Sequence, residues 1–184
     1  MTAPAEPNVI MEAGAIQRAL IRIAHEVVER HPDTEQLILV GIHSRGAPIA
    51  ERIAASILDF EGAAVQQGAI DIGLHRDDLS LRGVRSTLQP SSLPASMDDR
   101  IVVLVDDVLF TGRSIRAALD ALVDYGRPAA IELAVLVDRG HRELPIRPDY
   151  VGKILPTQRD DDVRVHLAEV DGRDEIVMTS GRAG

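Results

Sequence analysis

Two adjacent carboxylates, Asp106 and Asp107, close the apolar run Ile101-Val102-Val103-Leu104-Val105, and a Thr111-Gly112-Arg113-Ser114 turn follows. A short unbroken apolar run reads as a strand buried on both faces of a parallel sheet. Side chains alternate along a strand, so the two acids serve one ligand only where the strand is ending. A central position would bury a carboxylate without a partner, at considerable cost. They are therefore expected at the mouth of an open α/β sheet, where such folds bind ligands. The turn suits an anion. Thr111 and Ser114 offer hydroxyls, and Gly112 permits close approach to the backbone. The first amides of the alanine-rich helix beyond it point outward with the positive end of the helix dipole behind them. Carboxylates that hold hydroxyls or a hard cation, next to a phosphate cradle, point to a sugar phosphate. The plain alternative is a βα junction with Asp caps.

The rest of the chain must position these groups. With 184 residues, 45% of them hydrophobic, it is long enough for a full core, and residues 1–184 read as a single domain. No apolar run reaches membrane-spanning length and no signal-peptide pattern is present. The absence of cysteine excludes disulfide and thiolate chemistry and fits a cytoplasmic location. A net charge of −9 argues against indiscriminate nucleic-acid binding but leaves room for a local basic patch. Two Phe, two Tyr and no Trp make an aromatic base-stacking platform a poor expectation.

Residues 1–9, rich in Pro and Ala, are expected to fray. Apolar residues at Ile16, Leu20, Ile23 and Val27 predict an amphipathic helix over 11–30. Another face carries Arg18, Arg22, His25 and Glu29, with Arg30 and His31 near the end; it is either a solvated face or a partner surface. Leu37–Ile42 is a second buried strand that empties into His43-Ser44-Arg45-Gly46, with Pro48 in the first turn of a helix over 47–60. This repeats the strand-then-polar-turn design, either as a second anion loop or as a structural turn. Neither the P-loop pattern nor GxGxxG occurs. A third strand is expected over 64–74, and the stretch 75–100 has no period. So long a loop is a lid, a binding loop or an insertion, and an antiparallel ribbon is equally compatible. A helix from Gly112 ends near Gly126 and Pro128, a strand covers 130–137, and 150–155 is short and mixed. Two late strands, 163–170 and 175–179, are joined through an Asp171-Gly172 turn.

The run of apolar residues, two acids and Thr-Gly resembles the phosphoribosyl-pyrophosphate motif of type I phosphoribosyltransferases. The segment Val137-Asp138-Arg139-Gly140-His141-Arg142-Glu143-Leu144-Pro145, continuing through Arg147-Pro148-Asp149-Tyr150-Val151-Gly152-Lys153, is more specific. It resembles the branch of bifunctional pyrimidine-operon attenuation proteins and uracil phosphoribosyltransferases. Arg22–Glu26, Val40–Ile42, Arg45-Gly46, Asp71-Ile72, Arg76-Asp77-Asp78-Leu79 and Asp124–Pro128 match too, so the resemblance covers residues 11–180.

The resemblance implies an α/β fold with a central, mainly parallel sheet flanked by helices, a small hood and a mobile loop. It also implies a pentosyltransferase that makes UMP and pyrophosphate from uracil and phosphoribosyl pyrophosphate with Mg²⁺, and a homodimer or higher homo-oligomer. In that pattern Asp106 and Asp107 hold the ribose hydroxyls, directly or through the metal shell, and stabilise developing positive charge on the sugar. The 5′-phosphate falls to the turn, within a binding stretch that runs from Asp106 through Val108, Leu109, Phe110, Thr111, Gly112 and Arg113 to Ser114. Pyrophosphate falls to Ser44, Arg45 and Gly46, Arg45 being the third catalytic candidate. Arg76, Asp77 and Asp78 belong to the lid that excludes water. The base is expected near Asp138, Arg139, Pro156, Thr157, Gln158 and Asp160. UMP or UTP would promote binding to pyrimidine-operon leader mRNA, with Arg22, His25, Arg30, Arg45, His141, Arg142, Arg147 and Lys153 as the matching contacts.

Several departures bear on these expectations. Phe110 stands where purine phosphoribosyltransferases place a carboxylate base. Ile21 and His43 replace the family's frequent Thr and Lys, and Ile154 and Gln158 alter its usual pattern. Arg139, Arg142 and Arg147 have a second reading, in which they pair with Asp138, Glu143 or Asp149 and only fasten the loop. The alternative functions are an attenuation regulator that uses its nucleotide site mainly as a UMP/UTP sensor, and an enzyme without RNA binding. A receiver-like signalling domain predicts a lone phosphoacceptor Asp, against which Thr111–Ser114 speaks.

Overall fold

A computed structural model describes residues 7–75 and 90–181. Arg76, Asp77 and Asp78 of the expected lid lie outside the described residues.

Five parallel strands form the central sheet: β2 (Leu37–Ile42), β3 (Gln66–Ile70), β4 (Ile101–Leu109), β5 (Ala130–Asp138) and β6 (Tyr150–Ile154), in the order β3-β2-β4-β5-β6. The apolar runs are unbroken because both faces are covered. Leu37, Leu39, Val103 and Val105 turn toward helices α1 (Ala13–Arg30) and α2 (Gly46–Glu61). Ile38, Val40, Val102 and Leu104 turn toward α3 (Arg113–Leu122) on the other side. Each fully buried Val, Leu or Ile contributes roughly 1.5–3 kcal/mol of transfer free energy. The α1 stripe Ile16, Leu20, Ile23 and Val27 is buried as its spacing predicts. Among the described residues no helix is long and apolar enough to cross a membrane.

A second, three-stranded sheet forms the hood in the order β1-β8-β7, all antiparallel, from β1 (Asn8–Glu12), β7 (Asp162–His166) and β8 (Glu175–Thr179). Val163, Val165 and Ile176 tie it to the same core as α1 and α2. Here the sequence reading needs correction. Asn8 and Val9, expected to fray, pair with Met178 and Val177, so β8 supplies the order that the local sequence lacks. The seventh strand ends at His166 rather than Val170. Residues Ala168–Asp171 form a helical turn, α4, because Asp171 and Asp174 turn back to accept from the Leu167 and Ala168 amides. Gly172 then closes α4 at φ 75°, so a short loop replaces a two-residue hairpin turn. The third strand is five residues rather than the eleven of the predicted span. Ser92 adds one antiparallel bridge to Ala69.

The order of strands creates the mouth. From β2 the chain passes to β3 on one side, while β4 lies on the other, so loops at their carboxyl ends diverge. The β2–β4 ladder stops at Gly41 and Val105, so Asp106 to Leu109 extend past β2 with β5 alongside. The acids are thus inside β4 by hydrogen bonding, yet at the open edge on the β2 side.

Candidate active site

Asp106 is 8% exposed and Asp107 half-buried, and neither carboxylate is left bare. One oxygen of Asp106 accepts from the Asp107 amide at 3.0 Å, and one oxygen of Asp107 accepts from the Val108 amide at 2.8 Å. Desolvation pushes the Asp107 carboxyl above the usual carboxylate range; the Val108 amide and the Arg45 charge oppose that shift. Both acids line the smaller of two neighbouring cavities, and Asp106 lines the larger one as well.

The larger cavity, about 680 Å³, is lined by Asp106, Thr111, Gly112, Arg113, Ser114 and Arg139, among others. Gly112 adopts φ 92°, a conformation L side chains rarely take, and a Cβ there would meet Ile146 Cδ1 at 3.3 Å. This left-handed residue turns β4 sharply into α3 and leaves the first helical amides facing the cavity. Val108, Leu109 and Phe110 line the same cavity. A smaller cavity of about 190 Å³ is lined by His43, Ser44, Arg45, Asp106, Asp107 and Ser114, among others. Its His43-Ser44 peptide is cis. Gly46 lies against β4: a Cβ there would sit 2.3 Å from the Val105 carbonyl oxygen, so only glycine lets α2 start this close to the acids. Asp106, Val108 and Ser114 line both cavities, so the acid pair stands between the two turns.

The region where the base is expected is assembled differently. Arg139 is 7% exposed and stacks its guanidinium 4.0 Å from the Phe110 ring centroid. Its Nη2 donates to the carbonyls of Gln158 at 3.0 Å and Arg159 at 3.2 Å. Its Nε is the one buried side-chain nitrogen or oxygen without a hydrogen-bond partner among the described residues. Burial lowers the Arg139 pKa. Thr157 donates its hydroxyl to the Arg139 carbonyl, and His141 Nε2 lies 2.8 Å from the Thr157 carbonyl. Asp138 is occupied by Arg142 at 2.7 Å and by the Gly140 amide. Pro156, Gln158 and Asp160 are exposed; of these, Asp160 lines the larger cavity.

The expected nucleic-acid contacts divide. Arg142 donates to the carbonyls of Phe110 and Ile146 as well as to Asp138, which matches the loop-fastening reading. Arg139 pairs with none of Asp138, Glu143 or Asp149, and Arg147 is exposed. Arg22 reaches from α1 to Glu26 and to the carbonyls of Val151 and Gly152 on β6, beside Lys153. Arg30 approaches Glu132 and Asp149 while half its side chain stays exposed. His25 stacks on Phe60 with ring centroids 3.9 Å apart. Arg45 is paired with Asp171.

Arg159, within the 156–160 span where the base is expected, lines the larger cavity, as do Asp161, Asp162 and Glu143, which sequence reasoning missed. Glu143 takes Arg113 at 2.8 Å and also Arg159, joining the phosphate turn to the base-side loop. The run Arg159-Asp160-Asp161-Asp162 was the available signal, but nothing local said that it returns to the cavity. Among the described residues no cluster of three or more His, Cys, Asp or Glu side chains could hold a metal. Two carboxylates beside an anion site do fit Mg²⁺, which takes one or two carboxylates plus phosphate oxygens and water.

Residues 9–171 match the phosphoribosyl transferase domain model. The chain is similar to proteins named Bifunctional protein PyrR. It is 58% identical to that of Chloroflexus aurantiacus over 174 residues, covering 95% of this chain and 96% of the relative. It is 54% identical to that of Deinococcus radiodurans over 178 residues, covering 97% and 96%. A solved hypoxanthine phosphoribosyl transferase of Trypanosoma cruzi shares the fold, with TM-score 0.73 at 16% identity, covering 97% of this chain and 93% of the other. One from Staphylococcus aureus has TM-score 0.68 at 18% identity, covering 100% and 98%. The chain belongs to the phosphoribosyl transferase family, in the branch formed by the bifunctional PyrR proteins.

Proposed function

We propose that this protein is a uracil phosphoribosyltransferase that also regulates pyrimidine-operon transcription by attenuation, binding leader mRNA in response to uridine nucleotides. The observation that carries the enzymatic half is the acid pair at the smaller cavity, with Asp106 also lining the larger one, so that carboxylates stand between the Ser44–Gly46 and Thr111–Ser114 turns. Phosphoribosyl pyrophosphate has that layout: a phosphate at one end, a pyrophosphate at the other and ribose hydroxyls between.

In this reading the Thr111–Ser114 turn holds the 5′-phosphate and His43–Gly46 the pyrophosphate. Uracil N1 forms a bond to the anomeric carbon as the bond to pyrophosphate breaks, and the N1 proton is lost. Asp106 and Asp107 hold the ribose hydroxyls and stabilise positive charge developing on the sugar. Mg²⁺, when bound with the substrate, neutralises the leaving group. Phe110 supplies no base. Its ring instead supports Arg139, whose unpartnered Nε is assigned to a carbonyl oxygen of the pyrimidine. A buried N–H without a partner costs stability until a ligand satisfies it. Uracil N1 is itself a weak acid, so transfer relies on its own ionisation.

The regulatory half rests on the α1–β6 surface, where Arg22, Arg30 and Lys153 stand near one another in sequence-distant elements. These cations serve phosphate contacts that weaken as salt rises.

Incubation with uracil, phosphoribosyl pyrophosphate and Mg²⁺ should yield UMP, and a gel shift on the leader hairpin should strengthen with UMP and weaken with salt. Normal UMP binding without UMP formation would favour the sensor reading. Absent or salt-insensitive RNA binding would reject the regulatory half.

A further inference from the structure

Arg45 sits in the turn before α2 and lines the smaller cavity with Asp106 and Asp107. Its guanidinium is gripped along one edge by the hood. Nη2 donates to Asp171 Oδ1 at 2.8 Å and Nε to Asp171 Oδ2 at 3.2 Å, a side-on bidentate pair. A guanidinium carries donors on more than one edge, so this grip leaves the Nη1 end for a second anion.

Asp171 is itself fixed. Its Oδ2 accepts from the Leu167 amide at 2.9 Å, and its own amide donates to the Leu167 carbonyl at 2.6 Å. The loop around it is anchored by Arg52, which forms bidentate pairs with Glu169 (2.8 and 2.6 Å) and Asp174 (3.0 and 2.7 Å). Arg52 lies two turns along α2 from Arg45, on the same helix face. The contacts therefore form a closed path: α2 holds the hood loop through Arg52, and the loop holds Arg45 through Asp171. Anchoring the hood is already achieved by Arg52, so the second pair serves Arg45. Arg45 also acts electrostatically on Asp107. Unheld, it would be drawn toward the acid pair, covering both the ribose contacts and its own pyrophosphate position.

We propose that Asp171 is a positioning residue for pyrophosphate, orienting Arg45 toward the leaving group while keeping it off the acid pair. This rests on the transferase reading of the site. It also places Arg45 away from RNA while pyrophosphate or phosphoribosyl pyrophosphate is bound.

The test compares Asp171→Ala, Asp171→Asn, Arg45→Ala and the Arg45→Ala/Asp171→Ala double variant. Steady-state kinetics are combined with titration of Mg²⁺-pyrophosphate and of UMP. Asp171→Ala should raise KM for phosphoribosyl pyrophosphate and weaken pyrophosphate binding about tenfold. KM for uracil and UMP affinity should hardly move, while Tm falls by no more than the loss of the Leu167 cap brings. Asp171→Asn, which keeps one acceptor, should fall between, and Asp171→Ala should add nothing once Arg45 is alanine. Unchanged or tighter pyrophosphate binding in Asp171→Ala would overturn the proposal, as would an equal loss of pyrophosphate, uracil and UMP binding. A wild-type protein that neither forms UMP nor binds pyrophosphate would overturn the transferase reading and the proposal with it.

Discussion

The side of the site assigned to phosphate in the proposed function is made at two strand-to-helix junctions, His43–Gly46 and Asp106–Ser114, each contiguous in sequence. The base side joins residues 138–146 on one loop to residues 157–163 on another, through side chains that donate to backbone carbonyls. The first is backbone chemistry at strand ends, fixed by where glycine is required. The second is side-chain chemistry fixed by tertiary contact, and one buried arginine holds it together. In the proposed function, anion binding should therefore tolerate changes in the loop around Arg139, whereas base selection should depend on Arg139 and everything that orients it.

Removing Arg139 should separate the two sides most strongly. Arg139→Ala takes away the buried donor and the partner of Phe110, and should lower kcat/KM for uracil about 10²-fold with little change in pyrophosphate affinity. Steady-state kinetics with each substrate varied in turn would check it; equal losses for both substrates would break the distinction between the sides. A smaller effect is expected from Gly112→Ala. Forcing a Cβ into a positive-φ turn against Ile146 should cost about 1–3 kcal/mol of stability. The weakening of UMP binding should trace to the phosphate, so uridine, which lacks it, should bind unchanged. Calorimetry of UMP and uridine binding would show this.

The smallest effect is in the hood. Arg45 holds the Asp171 carboxyl below its ordinary range, and Arg52 does the same for Glu169 and Asp174. Depressed carboxyl pKa values give stability that is present above the unfolded values of about 4 and is lost as pH falls through the folded ones. Hydrogen exchange between pH 6 and 3 should therefore show β1, β7 and β8 opening before the central sheet. Simultaneous opening of both sheets would contradict this.

The same contrast explains what could be read from the chain. The buried strands, the α1 stripe and both anion turns are local patterns, legible as apolar runs ending in acids, hydroxyls and glycine. The acids' place at the open edge followed from alternation alone. What escaped was non-local. Asn8 and Val9 become a strand only because β8 lies beside them, and Leu167–Asp171 fold into a turn only because Asp171 and Asp174 cap it. Glu143, Asp161 and Asp162 reach the cavity through a loop return that no window of sequence records. Phe110, read first as the absence of a base, acquires a role only once Arg139 is seen against its ring.

In the proposed function Asp106 and Asp107 carry phosphoribosyl transfer to uracil. The most direct measurement is the initial rate of UMP formation at saturating uracil, phosphoribosyl pyrophosphate and Mg²⁺ for the wild type, Asp106→Asn and Asp107→Asn. Wild-type turnover, with each variant slowed about 10²-fold or more at unchanged Tm, is the predicted result. Variants that keep the wild-type rate, or a wild type that makes no UMP, would contradict it.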